Sequence, residues 1–191
     1  MTADDATRTV LVVDDEPDLA DLYAAWLDEG HETRVAYGGN EAIEAFDEDI
    51  DVALIDRLMP EMSGDEVLRH IRETGYDCQV AMVTAVEPDF DIIEMGFDDY
   101  LVKPILRDEL LAAVSNLFSR ADYDSQLRDL YALVSKRAAL VTQKSEEELS
   151  SSEEYRELEA RIEALQSELD RTATELDSDD FEVAFRKLSE N

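Results

Sequence analysis

One cysteine, Cys78, leaves no partner for an intrachain disulfide. It precedes an apolar run and reads as a small core or core-edge side chain. Long apolar runs are missing too. No stretch approaches the roughly 18 residues of a membrane-spanning helix, and Met1–Val10 carries no signal-peptide pattern. The chain is therefore expected to be soluble and cytoplasmic, with no membrane partner. Positive charge is scarce: 17 lysines and arginines face 49 acids, for a formal net charge of −32. Lysine occurs only at Lys103, Lys136, Lys144 and Lys187. Self-repulsion on this scale destabilises a compact state in dilute salt. At about 1 M salt the Debye length falls to about 3 Å and surface repulsion is screened. An acidic, lysine-poor surface of this kind suggests a halophile's cytosol. It also argues against a nonspecific grip on DNA, which depends on basic side chains releasing counterions from phosphates. Glycine and proline are absent from the last 70 residues.

What is present divides at about residue 121. The 191 residues leave room for one medium domain with an extension, or for two small domains. The apolar share of 45% is enough for a core. Residues 1–121 hold 8 bases and 30 acids (net −22), and residues 122–191 hold 9 bases and 19 acids (net −10). Neither part reads as a basic nucleic-acid module.

The first part alternates strand-like and helix-like patterns. Short apolar runs fall at Thr9–Val13, Thr33–Tyr37, Val52–Ile55, Val80–Val83 and Tyr100–Val102. Their shortness and branched residues favour buried parallel strands. Helical patterns fill the intervals: Pro17–Glu29, Asn40–Asp47, Asp65–Thr74, a short Phe90–Met95, and Asp108–Arg120. Five βα units predict an α/β, doubly wound parallel sheet with helices on both faces.

The second part reads as all helical, with helices at about 122–144, 152–177 and 179–189. A polar break at Ser145–Glu154 offers two capping boxes, Ser150 with Glu153 or Ser151 with Glu154. Tyr155, Leu158, Ile162, Leu165, Leu169, Thr172 and Leu176 then step by three and four, a heptad seam. That seam can close an antiparallel hairpin with Tyr123–Val141, or pair between chains as a weak coiled coil.

Chemistry gathers at the strand ends. The first strand runs into Asp14-Asp15 and the third into Asp56. Ligands of parallel α/β sheets bind beyond the carboxyl ends of the strands, and three crowded carboxylates call for a divalent cation. Asp56 fits a nucleophilic carboxylate that accepts a phosphoryl group. Asp14 and Asp15 fit Mg²⁺ ligands, directly or through water. Lys103, after the fifth strand, would bring a compact cation to the phosphoryl oxygens. Thr84, after the fourth, would bring a hydroxyl donor. Taken singly, each has an ordinary structural reading: Thr84 as a turn residue, Lys103 as solvated surface, and Asp14-Asp15-Glu16 as acids at a helix N-terminus. Four of five strands ending in the right group types outweigh those readings. Gly38-Gly39 lacks a phosphate-loop lysine, and His31 and His70 have no metal-ligand spacing.

The segments Val12-Val13-Asp14-Asp15-Glu16-Pro17, Asp56-Arg57-Leu58-Met59-Pro60-Glu61-Met62-Ser63-Gly64, Thr84-Ala85 and Lys103-Pro104-Ile105 occur in the order and at the spacing of a known family. Residues 9–120 resemble the receiver domain of two-component response regulators. The resemblance implies a flavodoxin-like sheet of order 2-1-3-4-5, and Asp56 charged from the phosphohistidine of a sensor histidine kinase. It implies Leu58 as the source of a backbone carbonyl for Mg²⁺. It also implies that Tyr100 and Thr84 move together as a switch. The surface reshaped would be that of the fourth helix, fifth strand and fifth helix, which is also a candidate homodimer face. Segment Glu87–Asp91 departs from the family by being shorter and more acidic. The tail's position and make-up resemble the haloarchaeal HalX domain.

Three functional classes follow. The first is a phosphorelay response regulator, not an enzyme beyond slow self-dephosphorylation, whose helical output is set to transcriptional control or to a protein–protein or dimerisation adaptor. The second is a phosphatase of the haloacid-dehalogenase type, which needs an acid two residues after the nucleophile; that position is Leu58. The third is a structural protein whose acids serve only solubility. The composition yields one prediction directly: the midpoint of thermal unfolding should rise steadily as KCl goes from about 0.1 to about 2 M, as repulsion is screened. A midpoint that is flat or falling with salt would contradict the halophilic reading.

Overall fold

A computed structural model describes residues 8–189, with side-chain environments from 8 to 173. The chain divides into two compact units, Met1–Ala121 and Asp122–Asn191.

In the first unit, five parallel strands form one sheet of order β2-β1-β3-β4-β5. They are β1 Thr9–Val13, β2 Glu32–Ala36, β3 Val52–Ile55, β4 Gln79–Thr84 and β5 Asp99–Val102. Every residue of β1 and β3 is buried, as expected for central strands covered on both faces. Side chains alternate across the sheet. Val10, Val12, Val52, Leu54 and Val83 join one core with Tyr23 and Leu27, and with Leu110, Val114 and Leu117. Leu11, Val13, Ala53, Ile55, Val80 and Met82 join the other with Val67, Leu68 and Ile71.

Helix α1, Pro17–Leu27, starts with proline in its first turn, where the missing N–H is harmless. Helix α2 is Gly39–Ala45 and α3 is Gly64–Thr74. Ser63 and Glu66 form a reciprocal capping box at the start of α3, and Gly75, at φ 73°, ends it in the left-handed conformation. The expected ends of α1 at Glu29 and α2 at Asp47 are each two residues too long.

The fourth crossover corrects the expected helix Phe90–Met95. That segment is a single 3₁₀ turn, Phe90–Glu94, with Asp89 capping Phe90 N–H. Only fourteen residues, 85–98, separate β4 from β5, close to the least that joins parallel strands. The turn buries none of its residues, and Phe90 and Ile93 are 85% and 75% exposed.

Helix α4 runs Arg107–Gln143, so the expected helices 108–120 and 122–144 are one element. Nothing between them breaks a helix. A short helix α5, Glu146–Ser151, occupies the expected polar break. Helix α6 runs Glu153–Ser189 without the expected stop near Asp179; Asp and Ser are weak helix formers, not breakers. The capping residues also differ from expectation. Ser145 forms the capping box, with Glu148, and Ser152 opens α6, its hydroxyl accepting from Tyr155 N–H at 3.1 Å.

Within the second unit, the seam of α6 faces its own chain. Ile162 and Leu169 are buried, as is Leu133 of α4. Tyr155, Leu158, Leu165 and Thr172 are half-buried, and Leu176 lies outside the described side chains. Arg137 of α4 pairs with Glu159 of α6 at 3.6 Å. The seam thus closes a helical hairpin. No described helix is long and apolar enough to cross a membrane.

Candidate phosphoryl and metal site

The strand register assembles the site. Val13 pairs with Ile55, and Thr84 pairs with Val102. The ladders continue one residue further: Asp56 N–H donates to the Val13 carbonyl at 2.9 Å, and Lys103 N–H to the Thr84 carbonyl at 2.8 Å. Asp14 and Asp56 therefore leave neighbouring strands at the same level, with Lys103 two strands away.

At that level the Lys103 ammonium bridges both acids. Its Nζ is 2.6 Å from Asp14 Oδ2 and 2.7 Å from Asp56 Oδ2. Both carboxylates are nearly inaccessible, at 2% and 7% exposure. Their remaining oxygens accept from backbone: Glu16 N–H to Asp14 Oδ1 at 3.0 Å, and Leu58 N–H to Asp56 Oδ1 at 3.1 Å. Burial pulls the lysine pKa down, but hydrogen bonds to Asp14 and Asp56, and then their charges, outweigh it and leave it above its ordinary value. The cation is secure at neutral pH.

Asp15 completes a three-acid cluster with Asp14 and Asp56. One oxygen from each lies within 4.8 Å of the others. Three carboxylates against one ammonium leave a net negative pocket of hard oxygen donors, the donor set Mg²⁺ prefers. Asp14, Asp15 and Asp56 thus fit a divalent cation. Thr84 is fully buried at the end of β4, and its Oγ1 accepts from Val86 N–H at 3.4 Å. Tyr100 is half-buried and packs against Phe97, with ring centroids 5.4 Å apart. Its hydroxyl donates to the Val86 carbonyl at 2.9 Å. The Leu58 side chain is 65% exposed while its backbone lines the site.

Three residues that shape the surroundings of the site, without a part in its chemistry, were not legible as such. Tyr23 read as part of an apolar stripe; it is buried and feels the charges of Lys103, Asp14 and Asp56, though burial is the main cause that raises its hydroxyl pKa. Gly64 lies so close to the Asp56 loop that a Cβ would meet the Asp56 carbonyl oxygen at 2.2 Å. Its N–H donates to the Arg57 carbonyl at 2.9 Å, which fixes the loop carrying the acid. Arg57 itself forms ion pairs described below. Glycine after a Pro-x-x-Ser segment was a usable signal; for the other two none existed.

The lysine bridge is testable. Lys103→Met leaves two buried acids without a cation, which should cost about 3 kcal/mol in urea unfolding at pH 7 without divalent ions. Because the folded-state pKa is raised, the ammonium's contribution is full below the unfolded value, near 10.4, and is lost as pH rises through the folded value. The wild type should therefore lose stability in that alkaline range, and Lys103→Met should lack that loss. Equal stability of the two proteins at pH 7 would contradict the bridge.

Comparison with known proteins agrees with this architecture. The family model of the response regulator receiver domain matches residues 10–115, and that of the HalX domain matches residues 119–185. A "Putative transcriptional regulator" of Haloferax volcanii is 49% identical over 164 residues, which is 85% of this chain. The chain spans 28% of that relative's length. Among solved structures, the signal receiver domain of a putative LuxO repressor protein from Vibrio parahaemolyticus is similar at a TM-score of 0.58, with 28% identity over 63% of this chain and 97% of that one. The response regulator protein TrrA from Thermotoga maritima, solved in complex with Mg²⁺ and a beryllium fluoride, is similar at 0.54, with 34% identity over 58% of this chain and 99% of that one. Five parallel strands in order 2-1-3-4-5, acids at the ends of β1 and β3, and a helical extension meet these matches at every point: the chain belongs to the response regulator receiver family and carries a HalX domain after its receiver.

Proposed function

We propose that the chain is a phosphorelay switch in which Asp56 accepts a phosphoryl group from the phosphohistidine of a sensor histidine kinase. The observation that carries this reading is the Lys103 ammonium held against two buried acids within a three-acid cluster. An Asp56 oxygen attacks phosphorus; the P–O bond forms as the P–N bond breaks. The imidazole leaves with the electron pair and takes up a proton. Lys103 trades part of its pairing with the acids for the incoming phosphoryl oxygens. The Thr84 hydroxyl, at the neighbouring strand end, turns to donate to the same oxygens. Mg²⁺ held by Asp14, Asp15, Asp56 and the Leu58 carbonyl would offset the charge of the acids and of the group in transfer. Tyr100 answers the movement of Thr84 through Val86, whose N–H and carbonyl contact the two side chains. The product is a modified aspartate that persists until slow self-dephosphorylation, so the chain acts as a switch and not as a turnover enzyme.

Acetyl phosphate with Mg²⁺ should add one phosphoryl group to the wild type, read by intact mass, and none to Asp56→Asn. Normal labelling of Asp56→Asn would sink the assignment. Sustained turnover of a small phosphomonoester would favour a phosphatase.

The output is the helical unit. The Haloferax relative's description as a putative transcriptional regulator supports transcriptional control. A second reading, a protein–protein or dimerisation adaptor, is favoured by the tail's nine bases against nineteen acids. A homodimer would form through the helices or through a receiver face built from the 3₁₀ turn, β5 and the start of α4. Light scattering in about 2 M KCl should show a change in mass on phosphorylation. Footprinting in the same salt separates the outputs: protection of DNA supports the transcriptional reading, and its absence supports the adaptor.

A further inference from the structure

Arg57 follows the phosphoacceptor, and its guanidinium is a junction. The side chain is only 13% exposed. Nε donates to Asp65 Oδ1 at 3.1 Å and Nη2 to Asp65 Oδ2 at 3.3 Å, in the first turn of α3. Nη2 also pairs with Asp91 Oδ2, in the 3₁₀ turn. One planar group therefore ties the helix after the acid loop to the turn after β4. Its five donors in a fixed fork suit it to that task, where lysine offers a single point charge.

The 3₁₀ turn has little else to hold it. It buries no residue. Its own backbone bonds are local, Ile92 N–H to the Asp89 carbonyl and Met95 N–H to the Ile92 carbonyl, both 3.1 Å. Beyond the turn, Arg72 secures the Gly96 carbonyl and the Asp98 carboxylate, each at 2.6 Å. Among the described residues, Asp91 is the side chain of the turn that forms an ion pair with the rest of the unit. Before the turn, the Tyr100 hydroxyl holds the Val86 carbonyl. The hold on the turn itself, through Asp91, thus runs to Arg57.

We propose that Arg57 is a positioning residue that joins the phosphoacceptor loop to the 3₁₀ turn, so that the turn responds when Asp56 is modified. This rests on the phosphorelay reading of Asp56. It assigns the route from the site to the surface that carries Phe90 and Ile93. The guanidinium acts through Asp91 and takes no part in the bond changes at phosphorus. With this junction a short crossover without a buried helix face can still sense the site. The bond from Gly64 N–H to the Arg57 carbonyl ties the backbone of that residue to the start of α3.

The test is hydrogen exchange of peptides covering residues 86–97 in the full chain, with Mg²⁺ in about 2 M KCl, before and after acetyl phosphate, while intact mass reports phosphorylation. Arg57→Gln should still take up one phosphoryl group. Its 86–97 exchange should be about fivefold faster than that of the wild type before phosphorylation, and should change less afterwards. Asp91→Asn should give the same acceleration, and the double variant should be no faster than either single one, because both remove one interaction. Arg57→Lys should restore part of the protection. Wild-type exchange in Arg57→Gln and Asp91→Asn would overturn the tether while leaving phosphorylation of Asp56 intact. Strict additivity in the double variant would overturn it too. A wild type that takes up no phosphoryl group, read by mass, would overturn the reading of Asp56 and the coupling together.

Discussion

Like charges cannot share a buried corner of a protein unless something offsets them, and the receiver unit is organised around that constraint. Asp14 and Asp56 are nearly inaccessible and leave adjacent strands at one level. The ammonium of Lys103, between them at 2.6 and 2.7 Å, makes the arrangement tenable. A lysine can reach there because β5 sits at the sheet edge with Val102 in register with Thr84. Backbone N–H groups of Glu16 and Leu58 take up the remaining oxygens. The corner is stable yet still net negative once Asp15 is counted, which makes it receptive to a divalent cation and to chemistry that redistributes negative charge.

The sheet and the acids were readable because they rest on local rules. Val10–Val13 and Val52–Ile55 are branched apolar runs that fit only a doubly covered strand, and each runs directly into an acid. Sequence order then placed both acids at the same sheet edge. Extents were harder to read. Gly30 ended the apolar pattern of α1 later than the hydrogen bonds end it at Leu27. The Phe90–Met95 pattern looked helical, but helix formation there is limited by the length of the crossover and by the lack of a core surface to cover. The Asp177–Asp180 run looked like a stop, yet without glycine or proline the α6 backbone continues. Arg57 was unreadable because its partners are eight and thirty-four residues away and depend on tertiary packing.

The helical unit follows a different logic. Its heptad seam allowed pairing within or between chains. In the structure Ile162 and Leu169 of α6 and Leu133 of α4 are buried, and Arg137 of α4 pairs with Glu159 of α6. The described core is narrow, and Tyr131 and Val141 remain exposed at 67% and 54%. Few large apolar side chains are committed, and the acids on the outer faces stay solvated.

An acidic, lysine-poor surface suits concentrated salt, and the salt sets how far an exposed charge is felt. In a medium of molar salt a charge is felt over about 3 Å, roughly one atomic contact. A phosphoryl group on Asp56 would then send little field past the surface of the domain. Its message would have to pass hand to hand, from oxygen to Thr84 and Lys103 and onward through touching groups. In such a medium a relay of touching groups would carry further than the field of any exposed charge.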